Sequence, residues 1–143
     1  MKELQDELWK WYGKPLTIVL VTTNGMVTAG GRCVMGRGCA AEAKARFPGI
    51  DLDLGRKITA GGNVMHPLEA GLIWSFPVKH HWREEADMKL IVRSAHQLAQ
   101  MAGQRPAWMF VLPRPGCGNG RLDWSDVKPW IAFLPDNVTV VSK

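Results

Sequence analysis

The sequence predicts an α/β fold, and three observations carry that expectation. The apolar runs LTIVLV, GLIWSF and AWMFVLP lack polar alternation, as strands covered on both faces do. Stretches of helical periodicity lie between them. At 143 residues the chain has room for one hydrophobic core, so a single domain over 1–143 is expected, with helices on both faces of a mostly parallel or mixed sheet.

Each element has its own signal. Leu4, Leu8, Trp9 and Tyr12 fall at helical spacing and Gly13 stops the pattern, which predicts an N-terminal helix within 1–13 packing on the core. The run PLTIVLVTTN is a strand ending in Thr22, Thr23 and Asn24. GCAAEAKARF, 38–47, is rich in helix formers and Pro48-Gly49 ends it. GLIWSF is a second strand. From Glu84 to Ala102 the residues Met88, Ile91, Val92, Ala95, Leu98, Ala99 and Ala102 fit one helix face. AWMFVLP is a third strand, Asp123 can cap a helix over WSDVKPWIAFL, and NVTVVS closes the chain as a strand.

Composition excludes several classes. No apolar run approaches the roughly 20 residues that cross a bilayer, and the mixed-charge start MKELQDELWKWYG is unlike a signal peptide. A soluble, cytoplasmic monomer is expected. Cys33, Cys39 and Cys117 are odd in number and lack CxxC spacing, so neither a disulfide framework nor a zinc ribbon is expected. The net charge of +5 is mild support for an acidic partner, a phosphate-rich ligand or a weak nucleic-acid contact.

In open α/β sheets ligands bind beyond the carboxyl ends of the strands. Three features converge there: TTN leading to VMGRGCA, GLIWSF leading to PVKHHW, and WMFVLP leading to RPGCGNG. Gly36 and Gly38 precede a helix whose first N–H groups and dipole attract phosphate. Gly116, Gly118 and Gly120 can expose a row of backbone N–H groups as an anion nest. Two such loops on one crevice suggest a diphosphate. Neither carries the Gly-Lys-Ser/Thr ending of a P-loop, and the acid of a dinucleotide fingerprint is missing, so nucleotide hydrolysis and nicotinamide chemistry are disfavoured.

The stretches VTTN, GRCVMGRGCAAEAKARFPG, SFPVKHHW and LPRPGCGNGRLDW, in this order, resemble the macrodomain family of ADP-ribose-binding and ADP-ribosyl-hydrolysing modules. The likeness covers about 16–142 and is strongest to the branch of terminal ADP-ribose glycohydrolases and DarG-type antitoxins. It implies a three-layer α/β/α domain with a central mixed sheet. It further implies that Asn24 holds the distal ribose and serves catalysis, with Thr23 beside it. Met35, Gly36, Arg37 and Gly38 would be the first phosphate loop. Pro115, Gly116, Cys117, Gly118, Asn119 and Gly120 would form the second, around the diphosphate and distal ribose. Lys79 matches the lysine essential for hydrolysis. The glycohydrolase subgroup has an aspartate at the position of Gly120, whereas here Asp123 lies three residues on, and the GNG version is more like the DarG type.

A lysine can attack the anomeric carbon as a neutral amine or stabilise a departing group as a cation, and the sequence leaves both open. His80, His81 and Arg83 are its expected cationic surroundings or substrate contacts. Adjacent histidines in extended chain point to opposite sides, so a metal site is not expected there. Cys117 reads as a small loop residue more readily than as a nucleophile, and Trp82 or Trp124 could stack on adenine or a nucleobase. The resemblance thus implies release of ADP-ribose from DNA or protein without a cofactor. The alternatives are an ADP-ribose reader, an ADP-ribose-1″-phosphate phosphatase, or a basic nucleic-acid-binding protein whose glycine loops are turns.

Overall fold

Strand β2, Thr17–Asn24, has neighbours on both edges, and its sequence accounts for that place. Ile18 and Leu20 enter one core cluster while Val19 and Val21 enter another, so the unbroken apolar run is two alternating sets, one for each face of the sheet. The computed structural model describes residues 1–143. Its other strands are β1 Lys2–Gln5, β3 Pro67–Leu68, β4 Ile73–Lys79, β5 Met109–Pro113 and β6 Val138–Ser142. They join in the order β1-β6-β5-β2-β4-β3, parallel except for the β3/β4 pair.

Helices α1, Gly38–Arg46, and α2, Ile50–Gly61, cover one face through Ala40, Ala43, Ile50 and Leu54. The other face is covered by α3, Met88–Gln104, and α4, Trp124–Ile131, through Ile91, Ala95, Leu98, Val127 and Ile131. The result is a three-layer α/β/α arrangement around a mixed sheet. Leu98 and Ile91 are fully buried, each adding about 1.5–3 kcal/mol of transfer free energy.

Strand β3 was not anticipated, α4 stops at Ile131 short of the expected Leu134, and three further elements differ from the sequence expectation. The N-terminal helix does not form: Lys2–Gln5 pair in parallel with β6, Lys2 opposite Thr139 and Gln5 opposite Ser142, and only Leu8–Trp11 make a short 3-10 turn. Without β1, β6 would leave a row of open backbone donors and acceptors, and satisfying them overrides a helical pattern worth a few tenths of a kcal/mol per residue. Second, α2 arises where none was expected, with Asp51 and Asp53 in its first turn. Its Gly55 hid the signal and is required by packing, because a Cβ there would lie 2.0 Å from the Gly31 carbonyl oxygen. Third, α3 starts at Met88, where Asp87 accepts from the Lys89 N–H at 3.0 Å, and residues 84–87 belong to the preceding loop. Asp123 does occupy the N-cap position of α4, though its side chain makes no capping bond.

Candidate functional site

The carboxyl ends of β2, β4, β5 and β6 open into a cleft of about 640 Å³, within the range of about 300–1,000 Å³ common for small-molecule sites. Thr22, Thr23 and Asn24 enter from β2, and Met35 to Gly38 from the loop before α1. Lys79 enters from the end of β4, Trp82 from the loop after it, and Gly116 to Gly120 from the loop after β5. Parallel strands put all these ends on one side of the sheet, which is why segments distant in sequence meet here.

Local conformation builds the two glycine loops. Gly38 has φ 59° and opens α1, whose N-terminus has no side-chain cap, so its leading N–H groups are left for a ligand. Gly116 has φ 79°, and a Cβ on it would sit 2.5 Å from Ile91 Cδ1. Both loops meet across the cleft, since a Cβ on Gly38 would lie 3.0 Å from Asn119 Nδ2. Gly120 is buried, its carbonyl accepts from the Ala86 N–H at 3.0 Å, and a Cβ there would approach Ala86 Cβ at 3.0 Å. Position 120 is thus packed against the loop before α3.

Lys79 donates from Nζ to the carbonyl oxygens of Asn119 at 3.0 Å and Trp82 at 3.5 Å and forms no ion pair. Its pKa lies below the ordinary lysine value because of desolvation first, then the positive charges of Arg121 and Arg37. The expected cationic neighbours were different ones. His80 instead bonds Asp87 Oδ2 at 2.8 Å, His81 stacks on Trp82 with ring centroids 5.7 Å apart, and the Arg83 guanidinium lies 4.7 Å from the Trp82 ring centre. Sequence proximity suggested those three; the fold substitutes Arg121 and Arg37, brought from the two glycine loops.

Asn24 lines the cleft, but its amide already holds the chain that follows it: Nδ2 donates to Val34 O at 2.9 Å and Oδ1 accepts from the Met26 N–H at 3.0 Å. Thr23 contributes to the cleft wall but is buried, and its Oγ1 lies below the surface without a hydrogen-bond partner. Pro115, His80, His81 and Asp123 do not line the cleft. The Cys117 thiol is pushed above its ordinary pKa, chiefly by burial, and sits 3.7 Å from the Pro115 carbonyl oxygen, an environment opposed to a thiolate. Cys39, at the start of α1, is likewise raised by burial and contacts Thr22 Oγ1 at 3.3 Å.

Several lining residues escaped sequence reasoning, among them Asp6, Glu42 and Arg114. Asp6 follows β1, where its N–H donates to Ser142 O at 2.9 Å, and it is one of the residues that line the cleft, as are Leu8, Val141 and Ser142. The Glu7 N–H at 2.8 Å, and then Lys10, hold its pKa below the usual carboxylate value. A helix over 2–12 would have hidden this group, and only the pairing of β1 with β6 brings it to the cleft.

No family model matches the chain. It is 31% identical over 122 residues to a protein of Mycobacterium tuberculosis named DNA ADP-ribosyl glycohydrolase, covering 76% of this chain and 34% of the relative. The chain therefore spans about a third of the length of that curated relative. Among solved structures it is similar to the macrodomain of Mycobacterium tuberculosis DarG, with a TM-score of 0.75, 25% identity and coverage of 99% of this chain and 97% of that one. It is also similar to the macrodomain of Thermus aquaticus DarG, with a TM-score of 0.71, 26% identity and coverage of 98% and 95%. A shared fold over nearly the whole of both chains, joined to a sequence likeness over three quarters of this one, makes this chain a member of the macrodomain family.

Proposed function

We propose that the cleft binds ADP-ribose and that the chain releases it hydrolytically from an ADP-ribosylated macromolecule, DNA before protein. The observation that carries this reading is Lys79, an amine of lowered pKa set between two glycine loops with no carboxylate paired to it. The relative named DNA ADP-ribosyl glycohydrolase supports the choice of chemistry and of DNA.

In this reading the N-terminus of α1 and the nest at Gly116 to Gly120 take the diphosphate, and Asp6 takes the adenine end, where a carboxylate can accept from an exocyclic amino group. Thr23 and Asn24 stand with Lys79 at the distal ribose. The neutral Lys79 amine attacks the anomeric carbon as the bond to the macromolecule breaks, and water then frees ADP-ribose from the lysine. Desolvation and two arginines enlarge the neutral fraction of that amine. Trp82, 39% exposed at the mouth and flanked by His81 and Arg83, offers the attached nucleobase a stacking face. The three free thiols favour a reducing, cytoplasmic setting.

The test is release of ADP-ribose from a single-stranded oligonucleotide bearing one ADP-ribosyl group, with calorimetry on free ADP-ribose alongside. Turnover that Lys79→Ala abolishes while ADP-ribose binding survives supports the proposal. Binding without turnover by the parent protein would make it a reader, and phosphate release from ADP-ribose-1″-phosphate a phosphatase.

A further inference from the structure

The last three carbonyls of β4 are each held from outside its sheet ladder. Ser94 Oγ of α3 donates to Pro77 O at 2.8 Å, and the Asp87 N–H donates to Val78 O at 2.9 Å. Lys79 O accepts twice, from the Gly25 N–H at 3.1 Å and from Asn63 Nδ2 at 3.0 Å. This support falls where the sheet stops providing it. The β2/β4 register slips between Thr23, opposite Pro77, and Asn24, opposite Lys79, so the lysine leaves the sheet at a bulge.

Asn63 is itself anchored, because the Arg93 guanidinium of α3 donates to its main-chain oxygen at 3.0 Å. Its Oδ1 is buried without a partner, so the orientation of the amide is set by its donor end on Lys79 O. Gly25 leaves room for this amide: a Cβ there would lie 2.6 Å from Asn63 Nδ2. The φ of Gly25 is outside the left-handed region, so the close approach alone calls for glycine.

We infer that Asn63 is a positioning residue for the reaction at Lys79: its amide and the Gly25 N–H jointly fix the Lys79 carbonyl at the bulge, and with it the direction in which the amine leaves the strand. The inference rests on the proposed role of Lys79. Asn63 touches neither the cleft nor the glycine loops and acts only through the lysine. A misplacement of about 1 Å at a reacting group costs on the order of 100-fold in rate, which sets the scale of the effect.

The experiment measures kcat, KM and the pH profile of ADP-ribose release from the ADP-ribosylated oligonucleotide, with ADP-ribose affinity by calorimetry. Asn63→Ala is expected to lower kcat about 10- to 100-fold while KM and ADP-ribose affinity stay within about twofold. Asn63→Asp, which adds a negative charge behind the lysine, is expected to move the rising limb of the profile to higher pH. Gly25→Ala displaces the same amide and should reproduce the Asn63→Ala loss, and the double variant should lose no more than either alone. If Asn63→Ala does not fold, Gly25→Ala carries the same measurement. Parent-like kcat in Asn63→Ala, parallel loss of ADP-ribose affinity, or additive losses in the double variant would each overturn the inference. Lys79→Ala separates the failures: full turnover there removes the role of the lysine, whereas an inactive Lys79→Ala beside an unimpaired Asn63→Ala removes only the positioning role.

Discussion

Lys79 of β4 donates from Nζ to the carbonyl oxygen of Asn119 at 3.0 Å, tying the amine to the glycine loop that follows β5. The bond gives the ammonium an acceptor but no countercharge, and the nearby charges, Arg121 and Arg37, share its sign. Both circumstances bear on how the lysine responds to pH.

A lysine that reacts as a neutral amine should give kcat rising with pH. Its pKa is lowered, so the rise should have its midpoint below the ordinary lysine value of 10.5. Lys79→Arg keeps the positive charge but cannot lose its proton near neutrality, so it should be as inactive as Lys79→Ala. Rate measurements across pH 6 to 10 check both, and an active Lys79→Arg would assign the lysine a cationic role instead.

Gly116→Ala should destabilise the protein and weaken ADP-ribose binding together. The left-handed backbone costs a side chain about 1–2 kcal/mol, and the contact 2.5 Å from Ile91 Cδ1 adds overpacking of about 1–3 kcal/mol. Chemical denaturation and calorimetry read the two losses. Gly103→Ala is a fitting control, because it lies on α3 outside the cleft and its Cβ would meet open space.

Asp6→Asn should weaken ADP-ribose binding on the order of tenfold while leaving kcat on bound substrate unchanged. Replacing adenine by hypoxanthine in the ligand removes the amino donor, and the parent protein should then lose what the variant has already lost. Calorimetry with the two ligands closes that cycle; equal losses in parent and variant would remove Asp6 from the adenine end.

Trp82→Ala should raise KM for the ADP-ribosylated oligonucleotide, by an amount corresponding to the loss of about 1–3 kcal/mol of stacking, and leave affinity for free ADP-ribose little changed. A KM equally insensitive in parent and variant to shortening the oligonucleotide to a single nucleoside would show that the strand makes no contact there.

Strands β2, β4, β5 and β6 and the two glycine loops were legible because each has a local cause. β2 and β5 are apolar on both faces, and Gly38 and Gly116 sit where the backbone has positive φ. α2 was hidden because its Gly55 is chosen for the approach of Gly31, a contact between segments. The same holds at the site: the resemblance and its place after a strand singled out Lys79, while the charges that lower its pKa, Arg121 and Arg37, come from segments distant in sequence.

By itself the sequence determined the α/β class, the position of the cleft at the carboxyl ends of the strands, and the loops and lysine that line it, since periodicity and glycine conformation are local properties of the chain. Tertiary structure alone decided that Lys2–Gln5 form a strand, that Asp6 reaches the cleft, and that Arg37 and Arg121 rather than His80, His81 and Arg83 set the charge around Lys79. Open sheet edges and electrostatic neighbours depend on which distant segments are brought together, and neighbours along the chain do not record that. The Asn63 amide behind Lys79 belongs to the same class, a contact made between a loop and a strand end that only the folded chain brings together.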